Sequence, residues 1–311
     1  MSIKYFFKLS PISAAVKVSS LGLLLGVSVQ SQASQEVVAP GESKVIESGE
    51  AVKNWALQAG SSLTVNGATT GAILSLGAQL TVNSGSAIER IVAQEGSTVS
   101  LDAATVKASA AGASAMELTN SSATISGSHL ESAQSIGLVL NRYSSTPGGS
   151  RADVSHSTIK GAQAGASATQ FSELYLQDSL VQGTAVGSTG VLLIGGSAFA
   201  QNSVLLGEQN GVRFTRVAGT TQDGSLVLDQ TTVEGQTGAA ILVAGLPGRV
   251  PTATIEVNNG SQLIGGNGNL LEVTGGATAN MNVNNSHLNG NVIVEAGSNA
   301  NLNLHNNASL T

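Results

Sequence analysis

The chain lacks cysteine and contains little charge and few aromatic residues. Without cysteine it forms no disulfide, binds no zinc through thiolates and performs no thiol chemistry. Charged residues make up 10% of the 311 positions, against a usual share of about 25%, and aromatic residues make up 3%. A net charge of −6 argues against a nucleic-acid-binding protein. Hydrophobic residues at 41% exclude a disordered chain, and 38 glycines favour a β-rich chain of small residues.

An export signal is predicted at the N-terminus. Three lysines in a segment without acidic residues come before or at the start of the apolar run 18–29, and the small-x-small sequence Ser31-Gln32-Ala33 follows it. This order is typical of a secretory signal peptide cut between Ala33 and Ser34. A membrane anchor is the weaker alternative, because twelve helical residues rise about 18 Å against roughly 30 Å of hydrocarbon. We therefore expect residues 1–33 to be removed and the protein to be exported.

A degenerate repeat fills the rest of the chain. Each copy has two apolar residues at positions i and i+2, then a polar turn and usually a third apolar residue. The second apolar residue of each copy lies at Val65, Val82, Leu101, Ile125, Val154, Leu176, Ala200, Leu228, Val257, Val283 and Leu304. Spacing by two places both side chains on one face of a strand, and no helical stripe is sustained. Eleven copies about 24 residues apart predict an all-β chain, a parallel β-helix of about eleven coils.

The repeat also predicts where the chain departs from its coils. Turn amides at Asn202, Asn259, Asn285 and Asn306 share one column, so we expect hydrogen bonds between them along the axis. The longest insertions are residues 141–151, 208–224 and 245–251, and these are expected to protrude as loops. The charged segment 34–53 is expected to be an N-terminal cap, including a short edge strand, before a β-helical domain at 54–311.

Candidate binding residues are concentrated in those insertions, whereas the remainder of the mature chain is acidic. Arginine beside aromatic residues is a common composition for contact surfaces. We therefore predict a loop-borne binding patch for an anionic surface ligand such as a glycan. Its residues are Arg142, Tyr143, Arg151, Arg213, Phe214, Arg216 and Arg249.

Catalytic chemistry and metal binding are not predicted, and no cofactor is expected. The histidines His129, His156, His287 and His305 are interpreted as solvated turn residues, because a metal site needs three or four converging ligands. A polysaccharide lyase or hydrolase is the alternative to a binding protein. It would use carboxylates such as Asp153 and Asp178, with Arg213 or Arg216 reaching over from a loop.

Surface charge without a catalytic role is illustrated by Glu131 and Lys160. Both follow the third apolar column in adjacent coils, so we expect an ion pair between them.

The run VKNWALQAGSSLTVNGATTGAILSLGAQLTVNSGS, residues 52–86, resembles the passenger region of pertactin-type autotransporters. The resemblance extends over about 52–311. It implies a right-handed β-helix that is displayed on, or released from, a Gram-negative cell surface. It also implies a part in adhesion, aggregation or virulence, with a host or bacterial surface glycan or protein as partner.

Autotransporters of this kind carry a C-terminal translocator barrel, whereas this sequence stops at Thr311 inside a repeat. We therefore expect a separate or missing β-barrel translocator. The protein would be at the outer membrane or secreted, or in the periplasm if no translocator exists. The core residues Leu302, Leu304 and Leu310 of the last copy predict an exposed edge through which copies could self-associate.

Overall fold

A computed structural model describes residues 33–143 and 148–311. The predicted signal peptide up to Gln32 lies outside the described residues, as does part of the first insertion. The described chain from Ala33 to Thr311 is one compact unit. It is all-β, and nowhere in it is there a helix long and apolar enough to cross a membrane.

The chain winds into a right-handed parallel β-helix with three faces. Face 1 is a sheet of twelve parallel strands, one from each coil. Its strands are β2 (Ser43–Glu47), β4 (Ser62–Asn66), β6 (Gln79–Val82), β8 (Thr98–Asp102), β11 (Ser122–Ser126), β14 (Arg151–Ser155), β17 (Glu173–Gln177), β20 (Ser197–Gln201), β23 (Gly224–Asp229), β26 (Thr252–Asn258), β29 (Thr278–Asn284) and β32 (Asn299–His305).

Faces 2 and 3 carry the other strands, and β5 (Thr69–Leu76) and β7 (Ala87–Gln94) run through both. Face 2 contains β9 (Thr105–Ala108), β12 (His129–Ser132), β15 (Thr158–Gly161), β18 (Leu180–Gly183), β21 (Val204–Gly207), β24 (Thr232–Gly235), β27 (Gln262–Gly265), β30 (His287–Leu288) and β33 (Ser309–Leu310). Face 3 contains β1 (Gln35–Val38), β3 (Asn54–Leu57), β10 (Met116–Thr119), β13 (Ile136–Asn141), β16 (Ala164–Thr169), β19 (Thr189–Ile194), β22 (Asn210–Phe214), β25 (Ile241–Ala244), β28 (Asn269–Thr274) and β31 (Asn291–Val294).

The strand register of face 1 confirms the predicted columns. Val65 pairs with Val82 and Val82 with Leu101, and the same register continues to Val283 and Leu304. A twelfth coil, which the repeat count missed, lies at the N-terminal end. There β2 pairs with β4 and Ile46 lies opposite Val65. The segment expected to be a cap thus forms strands of the first coil, and β2 is the edge strand of face 1.

The core is a set of stacked rows of small and branched residues. Val65, Ile125, Leu176 and Val257 are all at most 1% exposed, as are their counterparts in most coils. Each coil adds a rise of about 4.8 Å, so identical positions lie in direct contact along the axis. A narrow interior of this kind is filled by aliphatic side chains, which accounts for the small number of aromatic residues. We call this stack of coils the shaft.

A ladder of buried hydroxyls lines the turn between faces 1 and 2. Ser179 donates its backbone N–H to Oγ of Ser203 at 3.1 Å, and Ser203 donates its N–H to Oγ1 of Thr231 at 3.2 Å. The hydroxyl of Ser203 also donates to the Gln201 carbonyl oxygen at 2.7 Å. Members of the ladder are Ser128, Ser157, Ser179, Ser203, Thr231, Ser261 and Ser286, all at most 5% exposed. The ladder satisfies backbone groups that no strand pairing reaches.

Two positions after the second apolar residue of each copy, the backbone is left-handed in most coils. Asn202, Asn259, Asn285 and Asn306 have φ between 47° and 53°. Asparagine is one of the few residues that tolerate this region. Among the described residues, the predicted hydrogen bonds between these four side chains do not form. Instead Asn259 donates to Asp229 at 2.8 Å and Asn306 to Asn284 at 2.7 Å, in each case one position earlier in the turn of the preceding coil.

Candidate ligand-binding ridge

The three predicted insertions all leave the shaft at the same corner, where face 3 turns into face 1. The first and third lie between β13 and β14 and between β25 and β26, and the part of the second that leaves the shaft, residues 215–223, lies between β22 and β23. A shorter turn at Gln170–Phe171, between β16 and β17, lies at the same corner. We call residues 142–143, 170–171, 215–223 and 245–251 the ridge. The stacking of the coils thus brings together segments that are far apart in sequence.

Side-chain hydrogen bonds join the parts of the ridge. Gln222 Oε1 accepts the backbone N–H of Phe171 at 2.9 Å, and Gln170 Nε2 donates to the Gly219 carbonyl oxygen at 3.0 Å. The second insertion therefore folds back over a turn that lies two coils earlier in the stack. Through these bonds, loop 215–223 is held against the shaft.

Arg216 connects the second and third insertions. Its guanidinium donates to the Val250 carbonyl oxygen at 2.9 Å and to Asp223 Oδ1 at 3.0 Å. Asp223 Oδ1 also accepts the backbone N–H of Thr252 at 3.1 Å. The Arg216 side chain is only 24% exposed and has a carboxylate partner. Its position fits the role of holding two loops together better than that of meeting a ligand.

The first insertion contributes a cation and a phenol. The Arg142 guanidinium lies 4.5 Å from the centre of the Phe171 ring, within the range of a cation–π contact. Tyr143 donates its hydroxyl to Gln94 Oε1 at 3.1 Å. Partial burial raises the pKa of Tyr143, and the charges of Glu95 and Glu117 raise it further. Tyr143 therefore stays a neutral hydrogen-bonding group at physiological pH.

Arg151 begins strand β14 on the outer surface of face 1. It forms a two-point ion pair with Asp153, at 2.6 and 2.9 Å, and a longer bond to Glu173 at 3.3 Å. Its guanidinium also lies 3.9 Å from the centre of the Tyr175 ring. The hydrogen bonds to Asp153 raise the pKa of Arg151. Its charge is therefore largely compensated by its own neighbours.

Besides Arg151, two more of the predicted binding residues lie in a strand and not in a loop, and for them the expectation of protrusion was wrong. Arg213 and Phe214 belong to strand β22, in the middle of the segment 208–224. Phe214 points inward and is 1% exposed, so it belongs to the core and cannot contact a ligand. Arg213 faces outward from the strand and lies between Leu192 and Leu242 of the adjacent coils. Strand β22 belongs to face 3, where inward and outward residues alternate as they do on face 1. Phe214 therefore points inward and Arg213 points outward.

Arg249 is placed as predicted, in an exposed loop. The loop closes on itself, because Leu246 and Arg249 exchange backbone hydrogen bonds at 3.1 and 2.8 Å. Within the described residues the Arg249 side chain forms no hydrogen bond or ion pair. Arg249 is exposed and lies next to Val250, whose carbonyl oxygen accepts the bond from Arg216. Its guanidinium is therefore the most accessible positive charge of the ridge.

A second surface feature, on face 1, was missed by the sequence reasoning. The rings of Tyr175 and Phe199 point outward from adjacent strands, with centres 6.2 Å apart and planes inclined by 38°. They lie in a shallow groove of about 340 Å³, which Asp153, Gln177 and Gln201 also line. The signal was present in the sequence, because each ring stands between the two inward residues of its copy.

Several other titratable residues form small separate pairs on the surface. Glu131 pairs with Lys107 at 3.0 Å, so the ion pair expected with Lys160 forms instead with the coil on the other side. His129 lies 3.3 Å from Glu131, and His156 lies 3.4 Å from Asp178. Over residues 33–143 and 148–311, no group of three histidine, aspartate or glutamate side chains is placed to hold a metal ion.

No protein-family model matches the chain. A comparison with curated protein sequences gives no match either. The fold and the two surface features described above therefore carry the functional argument.

Proposed function

We propose that this protein is an exported β-helical shaft that acts in adhesion or display at a cell surface. The ridge is its contact region for an anionic glycan or a protein on a host or bacterial cell. Twelve stacked coils make a long support that holds the ridge away from its point of attachment. Loops on a regular scaffold are common positions for recognition. The proposal rests above all on the convergence of all three insertions at one corner.

The resemblance of residues 52–86 to pertactin-type passengers supports the same proposal, since the parallel β-helix is the fold it implies. In this proposal the predicted signal directs export from the cytoplasm. A separate translocator would then carry the protein to the cell surface, and without that step it would stay in the periplasm.

Charge removal at Arg249 tests the ridge. The purified protein would be passed over an immobilised anionic polysaccharide, such as heparin, and over whole bacterial or epithelial cells. We expect Arg249→Ser to weaken retention, because it removes an exposed cation of the ridge without disturbing a described contact. Lys160→Ser is the matched control, since it removes one outward positive charge from face 2. Equal losses in both variants would show general charge attraction and would contradict a binding ridge.

A polysaccharide lyase or hydrolase is the second candidate. Asp153 favours it, because this carboxylate lines a groove beside the Tyr175 ring, and sugar cleavage commonly uses carboxylates beside the bound chain. Incubation with acidic polysaccharides, with and without calcium, followed by measurement of new chain ends, tests it. The backbone of Asp178 is left-handed, with φ 49°, and asparagine tolerates this conformation better than alanine does. Asp178→Asn therefore removes the charge with less backbone strain than Asp178→Ala. Turnover that Asp153→Asn or Asp178→Asn abolishes would establish the enzyme.

A further inference from the structure

We propose that the groove on face 1 around Tyr175 and Phe199 is a binding site for an uncharged glycan, with about one sugar ring for each coil. The groove uses the outer surface of a sheet, whereas the ridge uses loops at a corner. The inference therefore goes beyond the proposed function and does not depend on the ridge.

The two aromatic rings form the apolar platform of the site. Tyr175 and Phe199 are register partners on β17 and β20, so their rings stand side by side along the axis. Neither ring is needed to fill the core, because Leu174, Leu176 and their counterparts already face inward. The Arg151 guanidinium covers one face of the Tyr175 ring, 3.9 Å from the ring centre, so a sugar would pack on the remaining surface of Tyr175 and on Phe199. The faces of aromatic rings carry negative potential, which attracts the C–H groups on the apolar side of a pyranose ring. Adjacent strands are about 4.8 Å apart, a distance similar to the length of one sugar unit in an extended chain.

Polar side chains lie beside the two rings on the same pair of strands. Gln177 and Gln201 are also register partners and line the groove one step further along their strands. A glutamine amide offers two donors and one acceptor oxygen, which matches the paired hydroxyls of a sugar. Asp153 lies on the preceding coil, and its carboxylate retains acceptor capacity beyond the two bonds it takes from Arg151. Apolar and polar contacts therefore repeat together along the axis.

The charge of the groove favours a neutral ligand over an acidic one. No lysine or arginine is among the residues that line it, and its carboxylate is Asp153. The nearest cation, Arg151, lies against the Tyr175 ring and is already bonded to Asp153 and Glu173. A uronic acid or sulfated sugar would thus meet a carboxylate without a free positive partner. Hexose and N-acetylhexosamine chains carry no such penalty.

The test is titration of the purified protein with three neutral hexasaccharides and one anionic one. The neutral probes are β-1,4-linked glucose, β-1,4-linked N-acetylglucosamine and α-1,4-linked glucose, and the anionic probe is hexagalacturonate. Binding is measured by calorimetry and by saturation-transfer NMR with irradiation of the aromatic protons. We expect at least one neutral hexasaccharide to bind at millimolar concentration or below, and more tightly than hexagalacturonate. Tyr175→Ser and Phe199→Ser should each weaken it by roughly five- to tenfold.

Val204→Ser is the matched control, because Val204 is an exposed apolar residue of the same coil on face 2. The serine variants are expected to fold, since Thr124 occupies the same outward column. Arg249→Ser should leave neutral glycan binding unchanged, so failure of this site and failure of the ridge are distinguishable. The proposal is overturned if no neutral probe binds, if the double variant of Tyr175 and Phe199 binds like wild type, or if hexagalacturonate binds best.

Discussion

Ser203→Ala is the most informative test of what holds the shaft together. The change removes one oxygen atom at a position that is 3% exposed and leaves the aliphatic rows untouched. Oγ of Ser203 accepts the N–H of Ser179 at 3.1 Å and donates to the Gln201 carbonyl at 2.7 Å. The backbone N–H of Ser203 keeps its own bond to Thr231. The variant therefore isolates one rung of the hydroxyl ladder.

The expected cost follows from the group that loses its partner. A buried N–H without an acceptor costs about 1–3 kcal/mol, more than the hydrogen bond itself contributes. Because each 1.4 kcal/mol is a factor of ten, amide exchange at Ser179 should accelerate roughly 5- to 150-fold. Hydrogen exchange followed by NMR or mass spectrometry measures this locally, so the measurement does not require the whole stack to unfold in two states.

Two further variants make the result decisive. Ser225→Ala removes a hydroxyl whose one hydrogen bond within the described residues goes to Ser197 Oγ on the outer surface of face 1, at 2.8 Å. This change should cost under about 0.5 kcal/mol. Ser203→Thr should behave like wild type, because Thr231 already occupies the same ladder one coil later. If Ser203→Ala and Ser225→Ala have equal effects on exchange at Ser179, the ladder does not stabilise the turn.

Three other substitutions probe different parts of the coil. Ala103 has φ 47°, so Ala103→Asn should raise the melting temperature by relieving about 1 kcal/mol of strain; no change would contradict the strain argument. Gly207→Ala should prevent stable folding, judged by circular dichroism, because the new Cβ would lie 1.8 Å from the Asn210 carbonyl oxygen. The hydrogen bond from Lys107 lowers the pKa of Glu131 in the folded state. The pair therefore stabilises the protein fully above the unfolded-state pKa of about 4.3, and this stabilisation is lost as the pH falls through the lowered pKa of the folded state. Glu131→Gln should thus be less stable by under about 1 kcal/mol at pH 7 and equal to wild type in strong acid; a gap that persists in acid, measured by urea unfolding, would contradict this.

Face 1 could be predicted from the sequence because its geometry is the same in nearly every coil. An inward pair, a turn of nearly constant length and one further inward residue recur, so the pattern alone aligned eleven of the twelve strands. The twelfth was missed because Lys44 stands where the other copies have an apolar residue. At the end of a stack this position is exposed, so the core does not require an apolar side chain there.

Face 3 could not be predicted in the same way, because its distance from the preceding turn varies. Val212 and Phe214 have the same period-two pattern as face 1, yet they lie inside the segment that was interpreted as an insertion. The corner before face 3 depends on glycines such as Gly207, whose close contacts are visible only in three dimensions. Sequence also does not distinguish a buried serine such as Ser203 from the many that face solvent.

For the candidate binding surfaces, too, some features could be predicted from the sequence and others could not. The concentration of arginine in the insertions was visible in the sequence, and the ridge follows from it once the coils are stacked. The partners of Arg151 and Arg216 could not be predicted, because Asp153 and Asp223 become bidentate or bridging acceptors only through the local geometry. Only the folded chain distinguishes a cation that is already paired from one that is exposed, as at Arg249.

A β-helix separates the residues that make the fold from those that can vary. Inward columns and turns must satisfy their neighbours above and below, so Leu176 or Ser203 cannot change without cost. Outward positions between them meet solvent and neighbouring outward side chains, as Thr124, Asp153 and Phe199 do. Two aromatic rings at consecutive outward positions, in a chain with only 3% aromatic residues, therefore have no structural cause in the core. This arrangement supports the glycan site that we propose on face 1.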